Sequence, residues 1–356
     1  MELMTIAELR RAAQNERLAA RVHAQLVSLA QKQTREGKPY WELGLADGGG
    51  KMILRAWSDT EVFSLCSELQ EGEFLEVEGD FVFTPAFGLD ARSWVCRPLE
   101  DEEIAMLLGG SAELQEKQAQ AYATVVELIT SVADPRLRGV AELFLQEQGE
   151  RFRRAAAARN YHHARRGGLV EHVSQMMRVA DQVAAIYPAL NRDLLLVGTF
   201  FHDIGKLWEN CPDQKGFGIP YDERGELLGH ISIGIELVNT YWRRLLETPA
   251  AAEWKNLKPG NEQVRLHLLH LIASHHGDLA FGSPVVPKTP EAFALHFIDN
   301  LDAKLEMAFA AYQNGTPLSD RIVERVRPLP GNLVQPLPKC EPPEPESGGF
   351  DPELGF

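Results

Sequence analysis

Three patterns of hydrophobic and polar positions follow one another along the chain. Over residues 1–20, Leu3, Ile6, Leu9 and Ala13 recur near helical spacing, which predicts a short amphipathic N-terminal helix. From residue 21 to about 99 the period shortens to that of strands. HAQLVSLAQKQ alternates, and REGKPYWELGLAD turns at Gly-Lys-Pro before Tyr40, Glu42 and Gly44. GGGKMILRAW follows a glycine turn, and EGEFLEVEGDFVFT and LDARSWVCRPL complete the set. A helix is expected over 61–69, between the third and fourth strands. Five short strands with a helix at that place is the order of an OB-fold β-barrel.

From about residue 101 to 326 apolar positions fall at intervals of three and four. Helices are predicted over 107–129, 140–158, 168–186, 192–206, 227–246, 262–275 and 290–312, with Asp134-Pro135 as the turn that starts the second. After Arg327 the chain becomes proline-rich and acidic, which predicts a disordered tail ending in DPELGF. The expected organisation is an N-terminal helix (1–20), an OB-fold barrel (21–99), an all-α helical bundle (100–326) and a tail (327–356). That tail is either inert or a docking peptide for a protein partner.

Composition narrows the setting. Hydrophobic residues make up 44% and charged residues 24% of 356, as in an ordinary globular protein. Glu2, Glu8, Arg10 and Arg11 interrupt any N-terminal apolar run, and no stretch approaches the roughly 20 apolar residues of a membrane span. The four cysteines, Cys66, Cys96, Cys211 and Cys340, form no CxxC. A disulfide framework and a thiolate zinc site are therefore not expected, and the expected compartment is a reducing cytoplasm. A net charge of −15 argues against coating nucleic acid by bulk positive charge. Arg151, Arg153, Arg154, Arg159, Arg165 and Arg166 nevertheless crowd into sixteen residues, either as a solvated helix face or as a surface that guides phosphates. In the barrel, Tyr40, Trp41, Trp57 and Phe83 are either core or base-stacking platforms, beside Lys32, Arg35, Lys38, Lys51 and Arg55.

The chemistry gathers around LLLVGTFFHDIGK, residues 194–206. An apolar run leads into His202 and Asp203, and a buried carboxylate is costly to keep ionised unless it is paired. Further imidazoles and a carboxylate stand beside apolar runs: His172 in GLVEHVSQMM, His230 in LLGHISIG, His275 and His276 in LIASHHGD, and Asp299 in ALHFIDNLDAK. Such ligands suit Mn²⁺, Fe²⁺, Ni²⁺ or Zn²⁺. The order assigns His172, His202, Asp203 and Asp299 to one ion, with Asp203 bridging to a second held by His230 and His275. Two ions roughly 3.5–4 Å apart can generate hydroxide and stabilise a leaving oxygen. Lys206, one helical step past Asp203, is either a surface lysine or a group that neutralises a substrate phosphate. His276 is not expected to face the same way as His275, and is assigned to the outer shell or to substrate. His267, His270 and His296 are assigned to packing, and His23 to the barrel.

The set from His172 through HDIGK to Asp299 resembles the HD-domain metallohydrolases. YHHARRGGLVEH, LLLVGTFFHDIGKLWE, YDERGELLGHISIG, ASHHGDLAFGSPVVP and EAFALHFIDNLDAK, behind an OB-like barrel, are together similar to the YhaM-type 3′–5′ exoribonucleases. The resemblance covers residues 20–312. It implies a metal-dependent exonuclease, typically active with Mn²⁺, that trims single-stranded RNA and can act on single-stranded DNA. It also implies that His162, His163, Gly282 and Ser283 lie near substrate, with the adjacent Arg165 and Arg166 as further contacts that depart from the family pattern. The acidic tail is a second departure. A homo-oligomer is a further expectation. HD-type di-iron oxygenases share the ligand order, but their small substrates have no use for a barrel. Cyclic-dinucleotide phosphodiesterases of the HD type usually carry Gly-Tyr-Pro after the paired histidines, where this chain has HHGDLAFGSP. A binding module without catalysis is disfavoured by the complete ligand set.

Overall fold

Alternate burial of side chains builds the first hundred residues into one sheet. The computed structural model describes residues 1–14, 16–84, 88–158, 165–212, 216–218 and 220–340. Strand β1 (Glu2–Leu3) and helix α1 (Ile6–Ala12) precede β2 (Leu18–Gln33), β3 (Pro39–Ala46), β4 (Lys51–Trp57), α2 (Glu61–Cys66), β5 (Phe74–Thr84) and β6 (Gly88–Pro98). The strand order is β4-β3-β2-β5-β6, antiparallel throughout, with β1 parallel to the start of β2. Trp94 of the end strand β6 points its indole N–H at the Arg55 carbonyl of the other end strand, β4 (3.4 Å). The sheet thus curls towards closure, as in a partly open OB-type barrel. Leu26, Leu43, Leu45, Leu54, Val77 and Phe81 fill its centre and are fully buried.

The N-terminal helix is part of this barrel rather than a separate element, which corrects the expected division at residue 20. Ile6 and Leu9 belong to the barrel core. A capping box between Thr5 and Glu8 starts α1. Asp47 then accepts the Ile6 N–H at 2.7 Å and those of Gly49 and Gly50 at 2.7 and 2.8 Å. One carboxylate therefore ties the helix start to the β3–β4 turn.

The rest is helical: α3 (Asp101–Gly109), α4 (Ala112–Thr130), α5 (Pro135–Arg154), α6 (Gly168–Ile186), α7 (Arg192–Phe201), α8 (Lys206–Glu209), α9 (Glu223–Leu246), α10 (Asn261–Ser274) and α11 (Pro290–Asn314), with short 3₁₀ turns at Pro249–Trp254 and Leu279–Phe281. The single helix expected over 107–129 is two, because Gly110 sits at φ 73° and Ser111 caps α4 afresh. The helix expected over 192–206 likewise breaks after Phe201, and that break carries the site described below. Phe144 of α5 lies at the centre of the helical core, edge-on to Phe200, Phe201 and Tyr241 at centroid distances of 6.0, 5.5 and 5.1 Å. The two units meet where Gln25 of β2 accepts the N–H groups of Phe217 (2.6 Å) and Gly218 (3.3 Å).

The expected tail is also shorter than its composition suggested. β7 (Pro317–Ser319), β8 (Ile322–Val323) and β9 (Leu333–Val334) form a small sheet. Leu329 is buried, and the Tyr312 hydroxyl of α11 donates to the Val334 carbonyl at 3.0 Å. The apolar residues scattered among these prolines are enough to fold residues 329–334 back towards α11. Residues 341–356, with DPELGF, lie outside the described residues. Among the described residues no helix is long and apolar enough to cross a membrane. Removing the Phe144 ring should lower the unfolding free energy by about 3–5 kcal/mol. Chemical denaturation of Phe144→Ala checks this, and a loss under about 1 kcal/mol would mean that the ring is not central to the core.

Candidate metal centre

Five helices bring polar side chains to one buried point. His172 lies in α6 where residues 168–174 are all buried. All of Leu194–Phe201 in α7 is buried too, and the helix ends at His202. The chain turns through Asp203, and the Lys206 N–H returns to the Asp203 carbonyl at 2.9 Å. Only glycine fits at position 205, since a Cβ there would lie 1.9 Å from the His230 carbonyl oxygen. That close approach brings α9 against the turn. Gly229, at φ 68°, kinks α9 so that His230 opens its second segment. His275 caps α10, and Asp299 and Asp302 lie one turn apart on α11.

The Asp203 carboxylate is at the centre, and its two oxygens face different partners. Oδ2 lies 3.6 Å from His172 Nε2, 3.3 Å from His202 Nε2 and 2.6 Å from Lys206 Nζ. Asp299 Oδ1 approaches the same two imidazoles at 3.5 and 3.9 Å. Asp203 Oδ1 instead faces His230 Nε2 at 3.5 Å and His275 Nε2 at 3.6 Å. His172, His202, Asp203 and His275 are at most 2% exposed. The centre is most open at His230 and Asp299, whose side chains are 15% and 20% exposed.

The outer ring nitrogens decide what the inner ones present. His202 Nδ1 donates to the Thr199 carbonyl and His275 Nδ1 to that of Ile272, both at 2.7 Å. His172 Nδ1 lies 2.6 Å from Asp302 Oδ2, and His230 Nδ1 lies 3.3 Å from Glu209 Oε2. With every Nδ1 directed at an acceptor, each neutral imidazole turns the Nε2 lone pair inward. Nε2 of His202, His230 and His275 and Oδ1 of Asp203 have no hydrogen-bond partner among the described residues. Lone pairs facing carboxylate oxygens at 3.3–3.9 Å repel unless a cation lies between them. Ligands bound at roughly 2.0–2.2 Å from one ion sit about that far apart, so this donor set fits a divalent metal.

The ionisation states agree. Burial alone would raise the Asp203 pKa, but the Lys206 ammonium and His202 hold it well below the ordinary carboxylate value. Asp299 is lowered in the same way, against its burial, by His202 and His172. Burial pushes His275 below the ordinary imidazole value. Burial also pulls on His202, but the neighbouring Asp203 and Asp299 carboxylates outweigh it and raise this group. The site therefore holds negative charge that positive charge must balance.

The remaining expected residues divide. His276 comes closer than expected: a ring nitrogen groups with those of His230 and His275 within 4.8 Å, and its Nδ1 donates to the Phe281 carbonyl at 2.7 Å. Gly282 lies beside that ring, 3.8 Å from His276 Nδ1 to its Cβ position. Ser283 is not open to substrate. It is 3% exposed, with its hydroxyl towards the Ala273 carbonyl at 3.4 Å. Arg165 is committed to the buried Glu171, at 2.6 and 3.2 Å. Burial alone would raise that carboxyl, but Arg165 brings it down to about 2.

Arg166 donates to the Gly216 carbonyl at 3.1 Å. Arg151 donates to Leu207 and stacks on Trp208, and Arg154 donates to Pro212. Arg151, Arg154 and Arg166 thus brace the segment after α8, while Arg153 stays exposed beside Glu150. His162, His163 and Arg159 lie outside the described residues. His296 Nδ1 donates to the His275 carbonyl (2.9 Å), and His270 accepts the Lys288 N–H (3.0 Å), both packing roles. His23 pairs with Glu76, which also takes Arg97 and Arg21.

In the barrel, Tyr40 and Trp57 face each other across β3 and β4 with centroids 4.9 Å apart, and Trp57 is exposed. Trp41 and Phe83 pack on the core. Lys32 and Arg55 both lean on Glu42, at 2.6 and 3.8 Å. Sequence reasoning missed Asp302 and Glu209. Each stands three residues after a chosen residue on the same helix face, a spacing that would have disclosed them.

The HD domain family matches residues 169–304, which include every ligand candidate. The 3′-5′ exoribonuclease YhaM of Bacillus subtilis (strain 168) is 31% identical over 82% of this chain and 83% of its own. That of Bacillus licheniformis is 38% identical over the same shares. Among solved structures, the second OB-fold domain of replication protein A from Methanococcus maripaludis aligns at 21% identity over 23% of this chain and 89% of that one, with a TM-score of 0.17. That score is too low to add to the strand order itself. With such identity over about four fifths of both chains, this protein belongs to the YhaM family of HD-domain 3′–5′ exoribonucleases.

Proposed function

We propose that this protein is a metal-dependent 3′–5′ exoribonuclease that releases nucleoside 5′-monophosphates from single-stranded RNA, with single-stranded DNA as a second substrate. The observation that carries this reading is Asp203, whose two oxygens face two separate groups of imidazoles. His172, His202, Asp203 and Asp299 would hold one divalent cation. Asp203, His230 and His275 would hold the second, with His276 at its open side. Bound there, the pair, Mn²⁺ by preference and Fe²⁺, Ni²⁺ or Zn²⁺ as alternatives, would supply a hydroxide at neutral pH and stabilise charge on the phosphodiester oxygens.

The chain's own residues do the rest. Asp302 and Glu209 fix the rings of His172 and His230. Lys206 holds its ammonium beside the bridging carboxylate, where it can take up the charge of the terminal phosphate. His276, neutral because burial and His275 lower its pKa, is placed to contact the nucleotide being removed, with Gly282 leaving room beside it. The Tyr40–Trp57 pair is the stacking platform for bases. It lies at the far end of the β3–β4 ribbon from the Ala46–Lys51 end, beside which Gly48 meets Phe217. A bound strand would therefore cross about 20 Å of barrel before reaching the helices. Cys66, Cys96 and Cys211 are free thiols, which supports work in a reducing cytoplasm.

With Mn²⁺ and a 5′-labelled single strand, the protein should give a descending ladder. Asp203→Ala should abolish both the ladder and metal content while leaving strand binding largely intact. No shortening with any divalent ion would contradict the activity, and joint loss of strand binding would contradict an independent barrel. Asp302→Asn should keep the fold but weaken metal affinity or turnover roughly 10–100-fold, because the His172 ring loses its anionic anchor. Metal titration beside initial rates checks this, and unchanged values would assign Asp302 to packing.

A further inference from the structure

Helix α11 supplies Asp299 and Asp302 to the centre from one face, and its other face is unpartnered in a regular way. Phe293, Phe297, Leu301, Leu305 and Phe309 follow one another at intervals of four, and each is between 41% and 63% exposed. The only other exposed positions on this helix, among residues 291–312, are Asn300, Lys304 and Ala310. A single charge, Lys304, among those exposed positions is few for a helix facing water. The five side chains form a single ridge about 24 Å long, presenting roughly 500 Å² of apolar surface. That is at the upper end of what a monomer leaves uncovered.

We infer that this ridge is the interface of a homodimer, in which the α11 helices of two copies pack against each other across a twofold axis near Leu301. Two such ridges together bury about 1,000 Å², the size at which a specific interface becomes sustainable. A nucleic-acid strand is a poor occupant, because Lys304 alone would meet its phosphates. The chain's own residues 341–356 are also a poor match. They offer only Phe350, Leu354 and Phe356 as large apolar groups, and they would bring Glu341, Glu344, Glu346, Asp351 and Glu353 with them. A second copy brings the same apolar ridge and no added acid.

Sedimentation equilibrium of the full chain between about 1 and 100 µM tests the inference. The expected mass is twice 39.7 kDa, and Leu301→Asp should weaken association at least 100-fold. A monomer throughout that range would overturn it, as would a dimer indifferent to Leu301→Asp. A monomer that dimerises once residues 341–356 are removed would also overturn it, by making the chain's own end the occupant. Should Leu301→Asp fail to fold, Leu301→Cys in a Cys340→Ser background gives a second reading. Oxidation should link the copies through residue 301 far more readily than through Phe293→Cys, and equal or absent linking would contradict a twofold axis there.

Discussion

One buried carboxylate sets the terms for the helical half of the molecule. Asp203 is 2% exposed, and an ionised group so placed is tolerable only among positive charges. The fold surrounds it with four imidazoles whose outer nitrogens are all engaged, so that each neutral ring can only accept at its inner nitrogen. Lys206 offers one positive charge to one of its oxygens. The other oxygen faces two lone pairs and has no hydrogen-bond partner among the described residues. This imbalance fits a divalent metal better than a salt-bridge network, and the division between the two oxygens underlies the proposal of two ions.

Much of the surrounding structure serves that placement. Apolar α7 and the buried start of α6 fix His202 and His172 within a rigid aromatic core, while the missing side chain at Gly205 lets the α9 backbone close onto the turn. Arg151 stacks on Trp208 and bonds the Leu207 carbonyl, which anchors the short α8 that carries Glu209. Arg154 and Arg166 add further bonds, to the Pro212 and Gly216 carbonyls of the segment that follows. Under the proposed function, recognition of the strand would fall to the barrel, and a small-molecule oxygenase with the same ligand order would have no need of one.

The ligand set was legible because each member stands at the boundary of an apolar run, and periodicity marks such boundaries well. Strand order was legible for a similar reason: alternation with period two persists through β2, β4 and β5. What failed was punctuation and tertiary use. Gly110 breaks a helix whose apolar spacing continues across it. Leu329, Leu333 and Val334 fold a stretch that its prolines had marked as disordered. Arg165 pairs with Glu171, six residues on, which sits on a buried helix turn that composition does not reveal. Asp302 was hidden by the opposite problem, a carboxylate read as one more charge on a helix that already had its ligand.

The central claim is that Asp203 bridges two cations, and anomalous diffraction from crystals equilibrated with Mn²⁺ tests it most directly. Two peaks should appear roughly 3.5–4 Å apart, one beside His172, His202 and Asp299 and the other beside His230 and His275, with an Asp203 oxygen at each. A single peak, or a pair in which Asp203 touches only one ion, would contradict the account.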